Sequence, residues 1–278
     1  MHFSHIALVG LFIEATAAIS AKNFIYIVPD GYGPASQTLA RDYASLLLNG
    51  ENPKRPVTYQ LPVDKLIIGS VRTQASDSLV TDSAASATAF ACGIKTYNAA
   101  IGVDDNVQPV GSILEAAKLE GFKTGLIATS RITHATPACY AAHVAHRDSE
   151  AKIAEHEIGY GHPLGRVVDL LMGGGRGFFT PQTTAGSSRK DNLNLLDIAK
   201  NSGYHVFTDR NGFDLLRNGL GQAAKLPYMG LFTNSHMSYE IDRDPAVEPS
   251  LQEMTEAAIN TLTAATADSK KGKSQLLN

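Results

Sequence analysis

Two short runs rich in β-branched and aromatic residues constrain the fold of this chain most. Residues 23–28 (NFIYIV) lead into Pro29-Asp30-Gly31, and residues 122–128 (FKTGLIA) form a second run. Such runs are typical of strands buried on both faces. Residues 112–119 between them have the pattern of a helix with a Ser112/Glu115 capping box. This alternation predicts an α/β fold with a mostly parallel central sheet and helices on both faces.

Further elements continue the same alternation. We expect Gly173-Gly174-Gly175-Arg176 to form a tight turn at a strand end, because it lacks the spacing of a P-loop or dinucleotide fingerprint. Strands are predicted at 167–172, 205–208 and 228–232, and helices at 36–48, 192–200 and 250–265.

Composition excludes some classes of protein. The 278 residues are 44% hydrophobic and carry a net charge of −3, with no basic stripe. The chain can therefore bury a substantial core, and nucleic acid is not an expected partner. Cys92 and Cys139 are the two cysteines, so no disulfide framework is indicated, and Cys92 is expected to be a buried free thiol.

The first residues resemble a secretory signal peptide. Within residues 1–21 a short apolar run precedes an Ala-x-Ala site, and the run is too short for a membrane span. We expect a secreted, vesicular or vacuolar protein; a signal anchor and a first buried strand remain alternatives.

A run of small residues, TDSAASATA, contains a candidate nucleophile, Ser83. Small residues favour or tolerate a helix, and the polar residues before them are capping types, so a helix is expected to begin near the serine. A helix start favours both a bound phosphate and an ionised serine. The alternative is that Ser83 serves only as an N-cap.

Other polar residues could hold a metal ion or a phosphate. Asp30 follows the first strand, while His134 and Thr136 lie two apart in a segment expected to be extended, so that both point the same way. Arg147 could fork onto two phosphate oxygens. The remaining histidines of this region match no standard zinc spacing and are interpreted as structural or surface residues: His143, His146, His156 and His162.

Five segments follow one another along the chain: VPDGYGP, DSLVTDSAASATAFACGIKTYNAAIGVD, ITHATPA, HVAHRD and VVDLLMGGGR. Together they resemble an alkaline phosphatase, and TDSAASATA is highly specific. The resemblance extends over most of the sequence from residue 23 to about residue 263.

The resemblance implies a site and a reaction, hydrolysis of small phosphate monoesters by a zinc and magnesium enzyme that is a homodimer at full length. Ser83 would be the phosphorylated nucleophile, with Arg147 clamping the phosphoryl oxygens and Asp82 ordering both. Asp30 would bridge a zinc ion and the magnesium ion, while His134 and Thr136 would complete this half of the magnesium site.

The chain departs from the family pattern at its C-terminal end. Residues 22–278 match the N-terminal part of the alkaline phosphatase domain, and the family's later metal ligands find no counterpart before Asn278; His205 and His236 lie outside any matching motif. A fold incomplete at its C-terminus is therefore expected. The alternatives are a truncated, non-catalytic product that binds anions, or a related phosphomutase or sulfatase, against which the Ser83 motif argues.

Overall fold

The fold is built on a parallel six-stranded sheet. A computed structural model describes residues 23–52, 54–217, 225–267 and 275–277. The strand order is β1-β6-β2-β3-β5-β4, and every pairing is parallel. The strands are β1 Phe24–Ile25, β2 Lys123–Arg131, β3 Leu170–Gly174, β4 His205–Phe207, β5 Tyr228–Leu231 and β6 Gln275–Leu277.

Helices connect the strands, as parallel pairing requires. Short 3₁₀ turns at Pro62–Leu66 and Arg176–Phe178 accompany them. The α-helices are α1 Pro34–Leu48, α2 Ser83–Cys92, α3 Ile113–Leu119, α4 Ala135–Ala138, α5 Glu150–Glu157, α6 Leu195–Asn201, α7 Arg210–Arg217 and α8 Leu251–Thr266.

A separate hydrophobic core covers each face of the sheet. In β3, Leu171 belongs to a buried cluster that includes residues of α2, α3, α5 and α6, whereas Leu170 and Met172 belong to a second cluster with residues of α7 and α8. Successive residues of a strand point to opposite faces, so helices lie on both sides. The predicted α/β class with helices on both faces is confirmed.

The first strand differs from the sequence prediction. β1 covers only Phe24–Ile25, and these side chains are 46% and 45% exposed. The prediction of a strand over residues 23–28 buried on both faces is wrong, because β1 lies at the sheet edge and, of the strands in the described residues, pairs with β6 alone.

The other predicted elements form, with shifted ends. α3 has the predicted capping box, and the polypeptide turns at Gly121 in the left-handed region. Gly175, also left-handed, makes the turn expected after β3, although Gly173 and Gly174 belong to the strand. Cys92 is half-buried rather than buried, Cys139 is fully buried, and both are free thiols.

In the ranges that the structure describes, no helix is both long and apolar enough to cross a membrane. The predicted signal peptide, residues 1–21, lies outside the described residues.

Candidate functional site

Ser83 is the first residue of α2, as the sequence suggested. The alternative that Ser83 is the N-cap is wrong, since Asp82 takes that position and its Oδ1 accepts the Ala85 N–H at 2.8 Å. Among the described residues, none forms a hydrogen bond with the half-buried Ser83 hydroxyl. The hydroxyl therefore lies free at the start of the helix, where the N–H groups that precede Ala85 have no partner within the helix.

Asp82 joins the start of α2 to Arg147. Its Oδ2 accepts the Arg147 Nη1–H at 2.9 Å and the Ala99 N–H at 3.0 Å. The Arg147 N–H donates to the Ala99 carbonyl at 2.8 Å, so the arginine is fixed at its backbone as well as at its side chain. The guanidinium is thereby held next to the residue that precedes Ser83.

Asp30 and Thr136 also meet, although 106 residues separate them. The Thr136 Oγ1 donates to Asp30 Oδ2 at 3.1 Å. Asp30 follows β1, and Thr136 follows β2, so both lie beyond the carboxyl ends of parallel strands, where sites of such sheets gather.

His134 lies against the arginine instead. Its Nε2 is 3.2 Å from Arg147 Nη2, and because a guanidinium only donates, this nitrogen carries the lone pair. Burial, the Arg147 charge and the Arg131 charge lower the pKa of His134. The ring is therefore neutral at pH 7, the form that binds metals.

The segment containing His134 is not extended throughout. His134 caps the one-turn helix α4, which contains Thr136, so the expectation that the two side chains point the same way from an extended segment is wrong. Proline is tolerated at position 137 because the first turn of a helix needs no hydrogen-bonded N–H there. The two side chains accordingly meet different partners, Arg147 and Asp30.

Sequence reasoning missed His236 and Arg131. The His236 ring centroid lies 5.3 Å from that of His134, and its Nε2 is 2.7 Å from Arg131 Nη1. Arg131 forks onto Glu150 with contacts of 2.8 and 2.7 Å. The positions of the two residues in the sequence could have indicated this part of the site. His236 follows β5 and Arg131 ends β2, and both strands finish at the same edge of the sheet.

Comparison with known proteins adds to this geometry. A model of the alkaline phosphatase family matches residues 21–273 of the chain. The chain belongs to the alkaline phosphatase family. The repressible alkaline phosphatase of Saccharomyces cerevisiae is 47% identical over 265 residues, which cover 93% of this chain and 46% of the yeast protein. The Schizosaccharomyces pombe alkaline phosphatase is 49% identical over 253 residues, covering 90% and 45%.

Solved alkaline phosphatases share the fold. The enzyme of the Antarctic bacterium TAB5 superposes with a TM-score of 0.69 at 31% identity, covering 93% of this chain and 64% of its own. The cold-active enzyme of Shewanella sp. gives 0.72 at 29% identity, covering 92% and 55%. The chain thus spans about half the length of the curated relatives it matches.

Proposed function

We propose that the protein containing this chain hydrolyses phosphate monoesters through a phosphoserine formed on Ser83. One observation carries the proposal: the free Ser83 hydroxyl begins α2, and the preceding residue, Asp82, holds the Arg147 guanidinium at 2.9 Å. A nucleophile, a helix start and a fixed cation therefore share one place. An anionic substrate would meet all three together.

The reaction follows from these residues in two displacements. In the first, Ser83 Oγ bonds to phosphorus while the bond to the leaving oxygen breaks, the serine proton passes to solvent and the leaving oxygen gains one. In the second, water attacks phosphorus, the bond to Ser83 breaks and the serine regains its proton. Arg147 and the first N–H groups of α2 stabilise the phosphoryl charge in both steps.

Magnesium and zinc are the proposed ions, and the donor set fits them. The Asp30 carboxylate and Thr136 hydroxyl are the hard oxygen donors that magnesium takes, and His134 Nε2, which lies 3.2 Å from Arg147 Nη2, carries a lone pair that an ion could use instead. A solved variant of the TAB5 enzyme has magnesium bound in its M3 site. Ions bound here would favour the ionised serine and stabilise the leaving oxygen. Asp30 is the residue we assign to both ions.

The comparisons favour this activity over the alternatives. The relatives and solved enzymes described above, each matching 90% or more of the chain, bear the name alkaline phosphatase, not sulfatase or phosphomutase. A non-catalytic anion binder is for the same reason the weaker hypothesis.

We further propose the setting of the reaction. The net charge of −3 suits small phosphate monoesters better than nucleic acid, because a polyphosphate backbone would be repelled. Entry into a secreted or vesicular compartment through residues 1–21, and a homodimer at full length, complete the proposal.

Turnover of an aryl phosphate by paired serine variants tests the proposed activity. Ser83→Ala should abolish turnover. Ser86→Ala is the matched control, because Ser86 lies one helical turn further on and its hydroxyl donates to the Asp82 carbonyl at 2.9 Å. Ser86→Ala should retain most of the activity. Equal turnover by wild type and Ser83→Ala would refute the proposal.

A further inference from the structure

A carboxylate and two histidines form a buried cluster away from Ser83. Glu115 Oε1 is 2.8 Å from His143 Nε2 and 2.8 Å from His162 Nε2. The side chains are almost completely buried, with exposures of 2%, 6% and 0%. The second carboxylate oxygen accepts the Ser112 N–H at 2.7 Å as part of the capping box of α3.

Proton counting makes His143 an imidazolium. Its Nε2 faces Glu115, and its Nδ1 faces the Gly102 carbonyl at 2.7 Å, so both nitrogens lie against oxygen acceptors and both must carry a proton. Burial lowers the pKa of His143, but the hydrogen bonds to Glu115 and Gly102 and the carboxylate charge outweigh burial and raise it. The same histidines and Ser112 overcome burial and lower the pKa of Glu115 to about 2.

His162 argues against a metal in the cluster. The three ligand atoms lie close enough for an ion, but His162 Nδ1 accepts the Leu164 N–H at 3.1 Å. Its proton is therefore on Nε2, the atom that a metal would need. His162 donates this proton to Glu115 and is neutral.

The other titratable groups around the cluster leave the ion pair intact. His156 Nδ1 accepts the His143 N–H at 3.2 Å; burial and then the Lys152 charge lower the pKa of His156 to about 4, so it is neutral. Lys152 is itself paired with Glu155 at 2.8 Å. Burial, with the Glu115 charge, raises the pKa of Cys92 to about 12, so the thiol is uncharged.

His143 is linked to Arg147 through a short antiparallel ladder. Gly102, whose carbonyl His143 holds, follows Ile101, and Ile101 exchanges backbone hydrogen bonds of 3.1 and 2.9 Å with Val144. Two residues before Ile101, Ala99 binds both the Arg147 N–H and the Asp82 carboxylate. The packing is tight, since a Cβ at residue 102 would lie 2.3 Å from the Ala142 carbonyl oxygen.

We propose that His143, held as a cation by Glu115, is a positioning residue that fixes the 99–102/144–147 ladder and thereby the Arg147 guanidinium. The inference rests on the proposed function, because it assigns Arg147 to a phosphoryl anion. When His143 loses its proton, one of its two hydrogen bonds is lost, and the ladder loosens at the Gly102 end. Arg147 then binds an oxyanion less tightly.

Sulfate is the probe for this inference. It has the shape of phosphate and keeps its double charge from mildly acid to alkaline pH, so a pH-dependent affinity reports on the protein. In wild type, ring ¹⁵N shifts should show a doubly protonated His143 at neutral pH, and sulfate affinity should fall as pH rises through the titration of that ring. His143→Gln should weaken sulfate binding several-fold, the scale of one lost hydrogen bond, and remove the inflection.

Control variants separate the outcomes. His146 precedes Arg147 but is exposed, so His146→Gln should keep the wild-type profile. If His143→Gln does not fold, Glu115→Gln should shift the inflection to lower pH. Three results would overturn this inference while leaving the proposed phosphoryl site intact. They are a wild-type sulfate affinity and pH profile in His143→Gln, an inflection that does not move in Glu115→Gln, and stoichiometric zinc binding that is lost in His162→Gln. Wild-type sulfate affinity in Arg147→Ala would overturn the proposed phosphoryl site, and this inference with it.

Discussion

The single carboxylate of Asp82 makes three hydrogen bonds, each with a different role. It caps α2, fixes the Ala99 backbone and orients Arg147, and each contact is 3.0 Å or shorter. The residue immediately after it is thus placed by three restraints before any substrate arrives. Such preorganisation is what stabilises developing charge without reorganisation during the reaction.

Arg147→Ala should weaken binding of inorganic phosphate. The change removes the forked donor and leaves Asp82 Oδ2 with only the Ala99 N–H among the contacts described above. A charge-assisted hydrogen bond contributes roughly 1.5–3 kcal/mol, so we expect about a 10- to 100-fold loss of affinity. Competitive inhibition by phosphate measures it. Arg166→Ala is the control, since that arginine contacts the Ser202 carbonyl and the Tyr204 ring instead; an equal loss there would contradict the role of Arg147.

Glu157→Gln should change the pH dependence of stability. Glu157 is fully buried, neither carboxyl oxygen has a hydrogen-bond partner among the described residues, and burial with the Glu150 charge raises its pKa well above the usual value of 4.5. Above that value the unfolded chain releases a proton that the folded chain keeps, so the contribution of Glu157 to stability falls as pH rises.

The glutamine variant removes that titration. The free energy of unfolding of Glu157→Gln, measured in urea, should therefore increase progressively relative to that of wild type from about pH 4.5 upward. Glu256→Gln, at an exposed position of α8, should run parallel to wild type. A constant difference between Glu157→Gln and wild type at every pH would show that Glu157 is ionised in the fold.

The strands bring the residues of the candidate site together at the edge of the sheet where they end. β1, β2 and β5 deliver Asp30, His134 and His236 to one edge, and β3 ends there at Gly174. The start of α2 near Ser83 and the Ser112/Glu115 capping box of α3 were predictable from local sequence, because their signals lie within four residues. The pairing of His236 with His134 was not, because it depends on strand order, which no local pattern encodes.

Gly174→Ala tests how closely the β3 end and the His236 segment are packed. A Cβ at residue 174 would lie 2.2 Å from the Ser235 carbonyl oxygen and 2.8 Å from Thr233 Oγ1. Backbone must move, so we expect a loss of about 1–3 kcal/mol in the free energy of unfolding. Gly69→Ala is the matched control, since nothing lies within 4 Å of the added methyl group. Equal stability of the two variants would contradict the packing.

At the scale of the molecule, apolar surface is distributed unevenly. α1 contains no buried residue, and most of the exposed large hydrophobic side chains lie between residues 24 and 80, including Ile68 and Leu79. Composition alone predicted a large core but not this distribution, because burial of a residue depends on which face it occupies in the assembled fold. The exposure of β1 was not predictable from composition for the same reason, because it depends on where β1 lies in the assembled sheet.

Ile68→Lys should raise solubility without changing stability. The side chain is fully exposed, so the charge is not desolvated, and the free energy of unfolding should stay within about 0.5 kcal/mol of wild type. Light scattering at increasing protein concentration measures the effect. Ile241→Lys, at a similarly exposed position outside this region, should have less effect; equal effects would show that residues 24–80 are not a distinct aggregation surface.

Mapping the phosphorylated residue shows directly whether Ser83 accepts the phosphoryl group. The protein is incubated with an aryl phosphate and its metal ions, quenched in acid, digested and analysed by mass spectrometry. We expect phosphate on the peptide containing TDSAASATA, at Ser83 and not at Ser86, and none in Ser83→Ala. Phosphate on another residue, or unchanged labelling of Ser83→Ala, would contradict this expectation.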